Sequence, residues 1–158
     1  MTEMRDDELI VVREFDAPVA LVFRLWESRE HLIRWWGPER FTTIELDWEL
    51  TPGRPWRIVM VSKQHGVSKS SGVIREVERN KRIVFTFQWD ANSGPDRETV
   101  ATVDLEEKNG RTIQTFHQMP FANIASRDSH IGGWNSLFNK QQVYAENFAV
   151  AQQDGFKP

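Results

Sequence analysis

Residues 12–41, VREFDAPVALVFRLWESREHLIRWWGPERF, contain a change from strand to helix that organises the rest of the chain. A run rich in β-branched residues, from Glu8 to Phe15, predicts a strand. Asp16 is a favourable helix-capping residue, and Pro18 fits the first turn of a helix. Apolar residues from Val19 to Trp26 then recur at spacings of three and four, which predicts an amphipathic helix directly after the strand.

A second, shorter helix is predicted to end at two adjacent tryptophans. Ser28 is a favourable capping residue at its start, and Trp35 and Trp36 fall near its end. Gly37 can adopt the left-handed conformation that ends a helix, and Pro38 prevents the helix from continuing. Neighbouring helical residues point about 100° apart, so the two indole rings face different ways. Either both rings pack into the core, or Trp35 packs there and Trp36 lies at the mouth of a cavity.

Between about residues 41 and 119 apolar residues alternate with polar ones, which is the period of a β-strand. Turn-forming segments separate the runs, including KNG at 108–110, ANSGPD at 91–96 and a polar loop around His65. Short strands with one apolar face predict an antiparallel sheet. The apolar positions of these strands are Ile44, Leu46, Trp48, Leu50, Trp56, Ile58, Met60, Ile83, Phe85, Phe87 and Trp89.

Residues 127–151 are predicted to form one long helix. Gly132 and Gly133 each cost about 1 kcal/mol of helix propensity, so we expect the helix to approach another backbone closely there. The element order predicts an α+β fold, in which a curved antiparallel sheet of about six to seven strands wraps around this helix and two small helices follow the first strand. The apolar stripe of the helix comprises Ile131, Trp134, Phe138, Gln141, Ala145 and Phe148.

Composition narrows the class of protein. The 158 residues are most simply one domain, with flexible tails at 1–7 and 152–158. A net charge of −3 gives no basic field for nucleic acid, and no apolar run approaches the ~20 residues that cross a bilayer, so neither nucleic-acid binding nor membrane insertion is expected. The N-terminus lacks the apolar core of a signal peptide, and the chain has no cysteine; we therefore expect a cytoplasmic protein.

Motifs for catalysis and cofactor binding are absent from the sequence. The four histidines show no metal-ligand spacing. There is no nucleophile elbow, phosphate-binding loop or dinucleotide fingerprint. The sequence therefore predicts no metal and no cofactor, and it assigns no catalytic residue.

Five short segments occur in an order that is typical of one protein family: DAP, HLIRWWGP, GVIREV, RIVFT and GGW. Over about residues 8–149 the chain resembles the homologues of the activator of the ninety-kilodalton heat-shock protein ATPase. That family belongs to the SRPBCC, or START-like, helix-grip superfamily. The resemblance implies a cavity between the sheet and the long helix, which is the usual place for a small ligand.

The superfamily includes lipid and hormone binders, aromatic cyclases, hydrolases and chaperone activators, so the fold alone does not settle the activity. We expect this protein to bind a small, largely apolar molecule in the cavity. A chaperone is the alternative partner, in which case the chain is an interaction module that activates the chaperone ATPase. A third hypothesis is a cyclase or hydrolase that works through acid–base residues in the pocket.

The candidate ligand-binding residues come from the strand aromatics, the long helix and the family pattern. That pattern places Trp36 over the cavity entrance beside a rim residue, Phe41, and it turns the side chain of His117 inward. The candidates are Trp36, Phe41, Trp56, Met60, Phe87, Trp89, His117, Trp134, Phe138 and Gln141.

Two further polar positions are informative. A buried amide without partners costs about 1–3 kcal/mol, so Gln141, in the middle of the apolar stripe, is expected to bond a strand residue, a trapped water or a ligand. In the strand GVIREV, either Arg75 or Glu76 is expected to point inward, where one charge could anchor a ligand carboxylate or amine.

Overall fold

The computed structural model describes residues 5–90 and 97–153. The predicted loop at 91–96 and the ends of the predicted tails, 1–4 and 154–158, lie outside the described residues. The described chain contains seven strands and three helices. In chain order they are β1 (Leu9–Phe15), α1 (Val19–Glu27), α2 (Arg29–Trp35), β2 (Thr42–Asp47), β3 (Pro55–Ser62), β4 (Gly66–Glu78), β5 (Arg82–Trp89), β6 (Thr99–Lys108), β7 (Arg111–Met119) and α3 (Ile124–Gln153).

The seven strands form one curved antiparallel sheet in the order β1-β7-β6-β5-β4-β3-β2, which confirms the predicted fold class. β6 and β7 are joined at Asn109 and Gly110, whose φ angles are 53° and 77°. Two successive positive φ values are typical of the two-residue hairpin turn that Asn-Gly favours, so the predicted KNG turn is confirmed. β1 and β2 are the two edges of the sheet.

The long helix α3 begins three residues before the predicted start and ends two residues after the predicted end. Its 30 residues span about 45 Å. Trp134, Phe138, Gln141 and Ala145 are buried along one side, so the predicted stripe does face the core. None of the described helices combines the length and the apolar character needed to cross a bilayer.

The start of the chain is tied to the region where α3 begins. The amide of Phe121 donates to the carbonyl of Asp7 (2.8 Å), and the Arg127 guanidinium donates to the carbonyl of Arg5 (2.9 Å). Residues 5–7, which were predicted to belong to a flexible tail, therefore form a turn that packs on the folded part of the chain.

The two small helices start and stop partly as predicted. Asp16 does not cap α1; the amide of Val19 instead donates to Oε1 of Glu107 (2.8 Å), a partner supplied by β6. α2 follows Ser28, although the serine side chain makes no capping bond. Gly37 has a φ of 103°, the left-handed conformation predicted for the end of this helix.

Two bulges change which side chains face inward. The pairing of β2 with β3 shifts between Thr43 and Glu45, and Ile44, predicted to face the core, is 57% exposed. The pairing of β4 with β5 shifts between Ile74 and Glu76. The prediction that Arg75 or Glu76 points inward is wrong, because both are exposed. A bulge adds one unpaired residue to a strand and so breaks the strict alternation of faces.

Candidate functional site

A cavity of about 440 Å³ lies between the sheet, α3 and the segment that follows α2. This volume falls within the range of small-molecule sites, about 300–1,000 Å³. Six of the ten candidate residues line it: Trp36, Phe41, Met60, Phe87, Trp89 and Trp134. The remaining lining residues are Pro38, His65, Val67, Ser68, Ser70, Ser129, His130, Gly133 and Leu137. The other four candidates, Trp56, His117, Phe138 and Gln141, lie elsewhere.

The inner wall of the cavity consists of aromatic rings that pack edge to face against one another. Trp36 meets Trp134 with centroids 5.4 Å apart and planes at 90°. Phe87 lies 5.9 Å from Trp134 and 5.3 Å from Trp89, again with strongly inclined planes. Such inclined aromatic pairs are favourable geometries, so the rings support one another without an occupant.

The two adjacent tryptophans have different environments. Trp35 is fully buried, and its indole N–H donates to the carbonyl of Leu25 (3.2 Å). Trp36 is only 3% exposed but lines the cavity, so it forms part of the inner wall rather than the mouth. Phe41 stacks on the exposed His65 with centroids 5.7 Å apart, and this pair borders the opening. The placement of Trp36 at the entrance is therefore wrong, and Phe41 lines the cavity beside the exposed His65.

Hydrogen bonds behind the wall fix the Trp134 ring. Its indole N–H donates to Oε1 of Gln118 (2.7 Å), and Nε2 of Gln118 donates to Oγ1 of Thr99 (2.8 Å). Thr99 Oγ1 in turn donates to the carbonyl of Phe87 (3.1 Å). This series of hydrogen bonds links α3 to β7, β6 and β5 in turn, so three strands together fix the position of the Trp134 ring.

Gln141 was predicted to bond a strand residue, a trapped water or a ligand, and its partner in the structure is a strand residue. Its amide exchanges two hydrogen bonds with the amide of Gln114 on β7, at 3.0 and 3.1 Å, and Oε1 of Gln114 also accepts the N–H of Trp26 (2.8 Å). Gln114 and Gln141 are both fully buried. Phe138, one turn before Gln141, is also fully buried, at 5.3 Å from Phe116. These residues belong to the core beside the cavity.

His117 lies on the opposite face of β7 from the cavity, so its predicted inward orientation is wrong. The inward residues of this strand are Thr112, Gln114, Phe116 and Gln118, all of which are fully buried. His117 Nε2 instead lies 2.8 Å from a carboxylate oxygen of Glu8. This hydrogen bond holds the pKa of the Glu8 carboxyl below its ordinary value.

His130 is a histidine that sequence reasoning missed, and it contributes an uncharged ring to the cavity. The Trp89 N–H donates to His130 Nε2 (2.9 Å), and His130 Nδ1 lies 2.7 Å from the carbonyl oxygen of Ser126. These partners assign the proton to Nδ1 and make Nε2 the acceptor, which is the neutral imidazole. Burial lowers the pKa of His130, which favours the same neutral form.

Charge is missing from the described lining of the cavity, which includes no Asp, Glu, Lys or Arg. An inward charge was predicted at Arg75 or Glu76, but both side chains are exposed on β4. Among the described residues, no group of three His, Asp or Glu side chains is arranged to hold a metal ion. The cavity as described therefore suits an uncharged occupant.

One tryptophan N–H in this wall has no acceptor among the residues that the structure describes. Six of the seven indoles donate to protein acceptors within the described chain. The seventh, Trp36, has no such acceptor among the described residues. Ser70 Oγ is the one fully buried side-chain oxygen or nitrogen without a partner in the described chain, so the Trp36 N–H is not fully enclosed. The open space that Trp36 borders is the cavity.

The glycine pair of α3 does not mark a close approach between backbones, and that expectation is wrong. A Cβ added at Gly132 would meet nothing within 4 Å. A Cβ added at Gly133 would lie 3.9 Å from Cγ of Pro38, an ordinary contact across the cavity wall. The missing side chain at Gly133 therefore leaves room in the cavity.

The segment that carries Trp36 is fastened to α3 and to β2. Lys140 Nζ donates to the carbonyl of Gly37 (3.0 Å), and the amide of Glu39 donates to Ser136 Oγ (2.7 Å). Thr43 Oγ1 donates to the carbonyl of Trp36 itself (3.2 Å). Burial lowers the pKa of Lys140. These bonds fix the backbone on both sides of the Trp36 ring.

The polar lining residues were missed because β4 is longer than predicted. The strand begins at Gly66, in the stretch read as a polar loop, and its residues Ser68 and Ser70 line the cavity. Alternation within VSKSS could have revealed a strand with one small polar face. His130 lies four residues before Trp134, one helical turn away on the same face, and that spacing could have identified it.

Solved structures with the same fold confirm the architecture. A protein from Chromobacterium violaceum superposes with a TM-score of 0.81 at 18% identity, covering 89% of this chain and 97% of its own. The AHSA1 protein from Silicibacter pomeroyi gives a TM-score of 0.78 at 24% identity, covering 86% and 95%. A protein from Nitrosomonas europaea gives 0.75 at 23% identity, covering 92% and 99%. At these identities the likeness establishes the fold alone.

Sequence comparison identifies the family. No curated protein matches the chain significantly. The family described as "Activator of Hsp90 ATPase homolog 1-like protein" matches residues 16–146, which covers both small helices, β2 to β7 and most of α3. The family that the segments DAP, HLIRWWGP and GGW predicted is therefore confirmed, and this chain is a member of the activator of Hsp90 ATPase homologue 1-like family.

Proposed function

We propose that this protein binds a small, largely apolar molecule in the cavity between the sheet and α3. The observation that carries the proposal is a 440 Å³ space with aromatic walls that are fixed from behind. A fixed site needs little ordering when a ligand arrives, which favours binding. Burial of the ligand's apolar surface supplies about 25 cal/mol per Å².

The electrostatics of the wall support an apolar occupant. The described lining has no acidic or basic side chain, and His130 is held neutral by its two hydrogen bonds. A buried charge without a partner is costly, so a lining of this kind selects against charged ligands.

A titration with an uncharged dialkylaminonaphthalene ketone dye tests the proposal. The emission of such a dye shifts to the blue when the dye leaves water, and we expect saturable binding with little dependence on ionic strength. Gly133→Leu places a side chain in the cavity and should abolish the blue shift. Gly132→Leu is the matched control, because Gly132 is exposed on the same helix and should leave dye binding unchanged. Equal binding by both variants, or no binding by the wild type, would overturn the proposal.

Activation of a chaperone ATPase is the second candidate, and the family description is the observation that favours it. Binding to a chaperone would depend on surface charge, and its association rate would fall with added salt. We therefore pair the dye titration with a chaperone ATPase assay at low and high ionic strength. Stimulation of the ATPase without dye binding would reverse the order of the two candidates.

The acid–base residues on which the enzyme hypothesis depended do not line the cavity. His117 pairs with Glu8 away from the cavity, and Arg75 and Glu76 are exposed. His130 reaches the cavity, but both of its nitrogens already have partners. A group that takes or gives a proton in catalysis must reach the substrate with a free nitrogen or oxygen.

A further inference from the structure

We propose that the ligand is an uncharged molecule with an oxygen acceptor, and that the N–H of Trp36 binds this oxygen. The inference rests on the proposed function and specifies its ligand. It starts from the contrast among the seven tryptophans, of which Trp36 alone has no acceptor within the described chain. A donor on a buried ring that faces a cavity is best satisfied by an occupant of that cavity.

The position of Trp36 makes its N–H a directional donor. The ring is 3% exposed, and it contacts Trp134 at 5.4 Å and Trp56 at 6.3 Å. The backbone on both sides of the ring is fixed by Lys140 and Thr43. The indole therefore cannot turn its N–H toward another protein group without breaking these contacts. A neutral carbonyl or ether oxygen matches a single fixed N–H donor.

Ser70 is a second polar position in the same wall. It is 1% exposed, and its hydroxyl has no partner in the described chain. A serine hydroxyl can donate and accept, and it rotates about one bond to do so. Because this oxygen is fully enclosed, a ligand in the cavity does not contact it. We therefore assign Trp36 alone as the polar anchor.

The cavity disfavours both anionic and cationic ligands. A carboxylate would be buried without a cation, because the described lining has none. A cation could contact aromatic faces, but the N–H of Trp36 would then stay unpaired beside a positive charge. Among aromatic ligands, a neutral ketone or phenol therefore fits the wall better than an aromatic acid or an aromatic ammonium ion.

Four naphthalenes substituted at the same carbon separate these classes: an acetyl ketone, an isopropenyl analogue of the same shape, a carboxylate and a trimethylammonium salt. Competition against the bound dye measures each affinity with the full chain. We expect the ketone to bind about 3- to 10-fold more tightly than the isopropenyl analogue, the contribution of one hydrogen bond. The two charged compounds should bind more weakly than either.

The residue assignment is tested by how variants change the preference for the ketone over the isopropenyl analogue. Trp36→Phe should lower this preference to about one. Trp89→Phe is the matched control: Trp89 lines the same cavity but gives its N–H to His130, so this variant should weaken both ligands and keep the preference. Ser70→Ala should leave the ketone preference intact, because the enclosed hydroxyl of Ser70 does not reach the ligand.

If Trp36→Phe fails to fold, replacing Trp36 by benzothienylalanine removes the N–H and keeps the ring size. A ketone preference that survives loss of the Trp36 N–H would overturn the assignment of this residue. Tighter binding of the carboxylate or of the ammonium compound would overturn the neutral-ligand inference while leaving the proposed function standing. Failure of all four compounds and of the dye would instead refute the proposed function.

Discussion

Replacing Gln141 by Leu should destabilise the fold but leave ligand binding intact. Leucine has a similar volume, so the main loss is the pair of hydrogen bonds at 3.0 and 3.1 Å between Gln141 and Gln114. Oε1 of Gln114 keeps the N–H of Trp26, and only the Gln114 NH₂ loses its partner. One orphaned buried donor costs about 1–3 kcal/mol, and we expect a loss of free energy of unfolding in that range.

A double-variant cycle sharpens this prediction. Gln114→Leu alone should cost more than Gln141→Leu, because it orphans both the Gln141 amide and the Trp26 N–H. In the double variant both side-chain amides are absent, and only the Trp26 N–H lacks a partner. The double variant should therefore be more stable than Gln114→Leu alone, by the cost of the orphaned Gln141 amide, about 1–3 kcal/mol.

Urea titration of the four proteins, followed by tryptophan fluorescence, gives the free energies, and dye titration gives the affinities. An unchanged slope with urea would indicate that only stability has changed. Additive losses would refute the direct amide pair. Loss of dye binding in a folded Gln141→Leu variant would refute the placement of Gln141 in the core and return it to the ligand site.

Three further predictions concern the cavity wall. Trp35→Ala should cost about 3–5 kcal/mol in a urea titration. Trp36→Ala should cost less, because Trp36 borders the cavity whereas Trp35 does not, and it should speed dye release in stopped-flow experiments. Equal costs with unchanged dye release would contradict this. Lys140→Met should lose about 0.5–1.5 kcal/mol with its bond to Gly37, and should also speed dye release; a rate equal to that of the wild type would show that this bond does not hold the wall. Burial lowers the pKa of His130 in the folded state, so its contribution to stability is complete above its ordinary pKa of 6.5 and is lost as the pH falls from there to the folded pKa. His130→Gln should flatten that part of the stability–pH curve, and the same slope in wild type and variant would refute the assignment.

The elements that local rules determine could be predicted from the sequence. Gly37 and Pro38 end α2 by their own backbone geometry, and Asn109–Gly110 forms its turn by the same kind of preference. The 127–151 segment was predicted as a helix because its apolar residues repeat with a helical period over many turns. None of these features needs information about distant parts of the chain.

The faces of β7 could not be predicted, because the decisive interactions are distant in sequence. Gln114 and Gln118 look like surface residues in a strand, yet both are fully buried. They are satisfied there by Gln141 and Trp134, which lie 27 and 16 residues further along. Buried amides are acceptable once they are paired, and the chain alone does not show the pairing.

The aromatic part of the site was predicted better than its polar part. Large aromatic residues on apolar faces pack between the sheet and the helix, and Trp36, Phe87 and Trp134 line the cavity there. Ser70 and His130 carry a weaker signal, which is the alternation within VSKSS and the four-residue spacing from His130 to Trp134. The bulge before Glu76 also moved a predicted charge away from the cavity.

Native mass spectrometry of the full chain tests the central claim most directly. The wild type, Gly133→Leu and Gly132→Leu would each be incubated with the acetylnaphthalene ketone and sprayed under non-denaturing conditions. We predict one bound ketone on the wild type and on Gly132→Leu, none on Gly133→Leu, and release from all under denaturing conditions. A ketone retained equally by Gly133→Leu, or absent from the wild type, would contradict binding in the cavity between the sheet and α3.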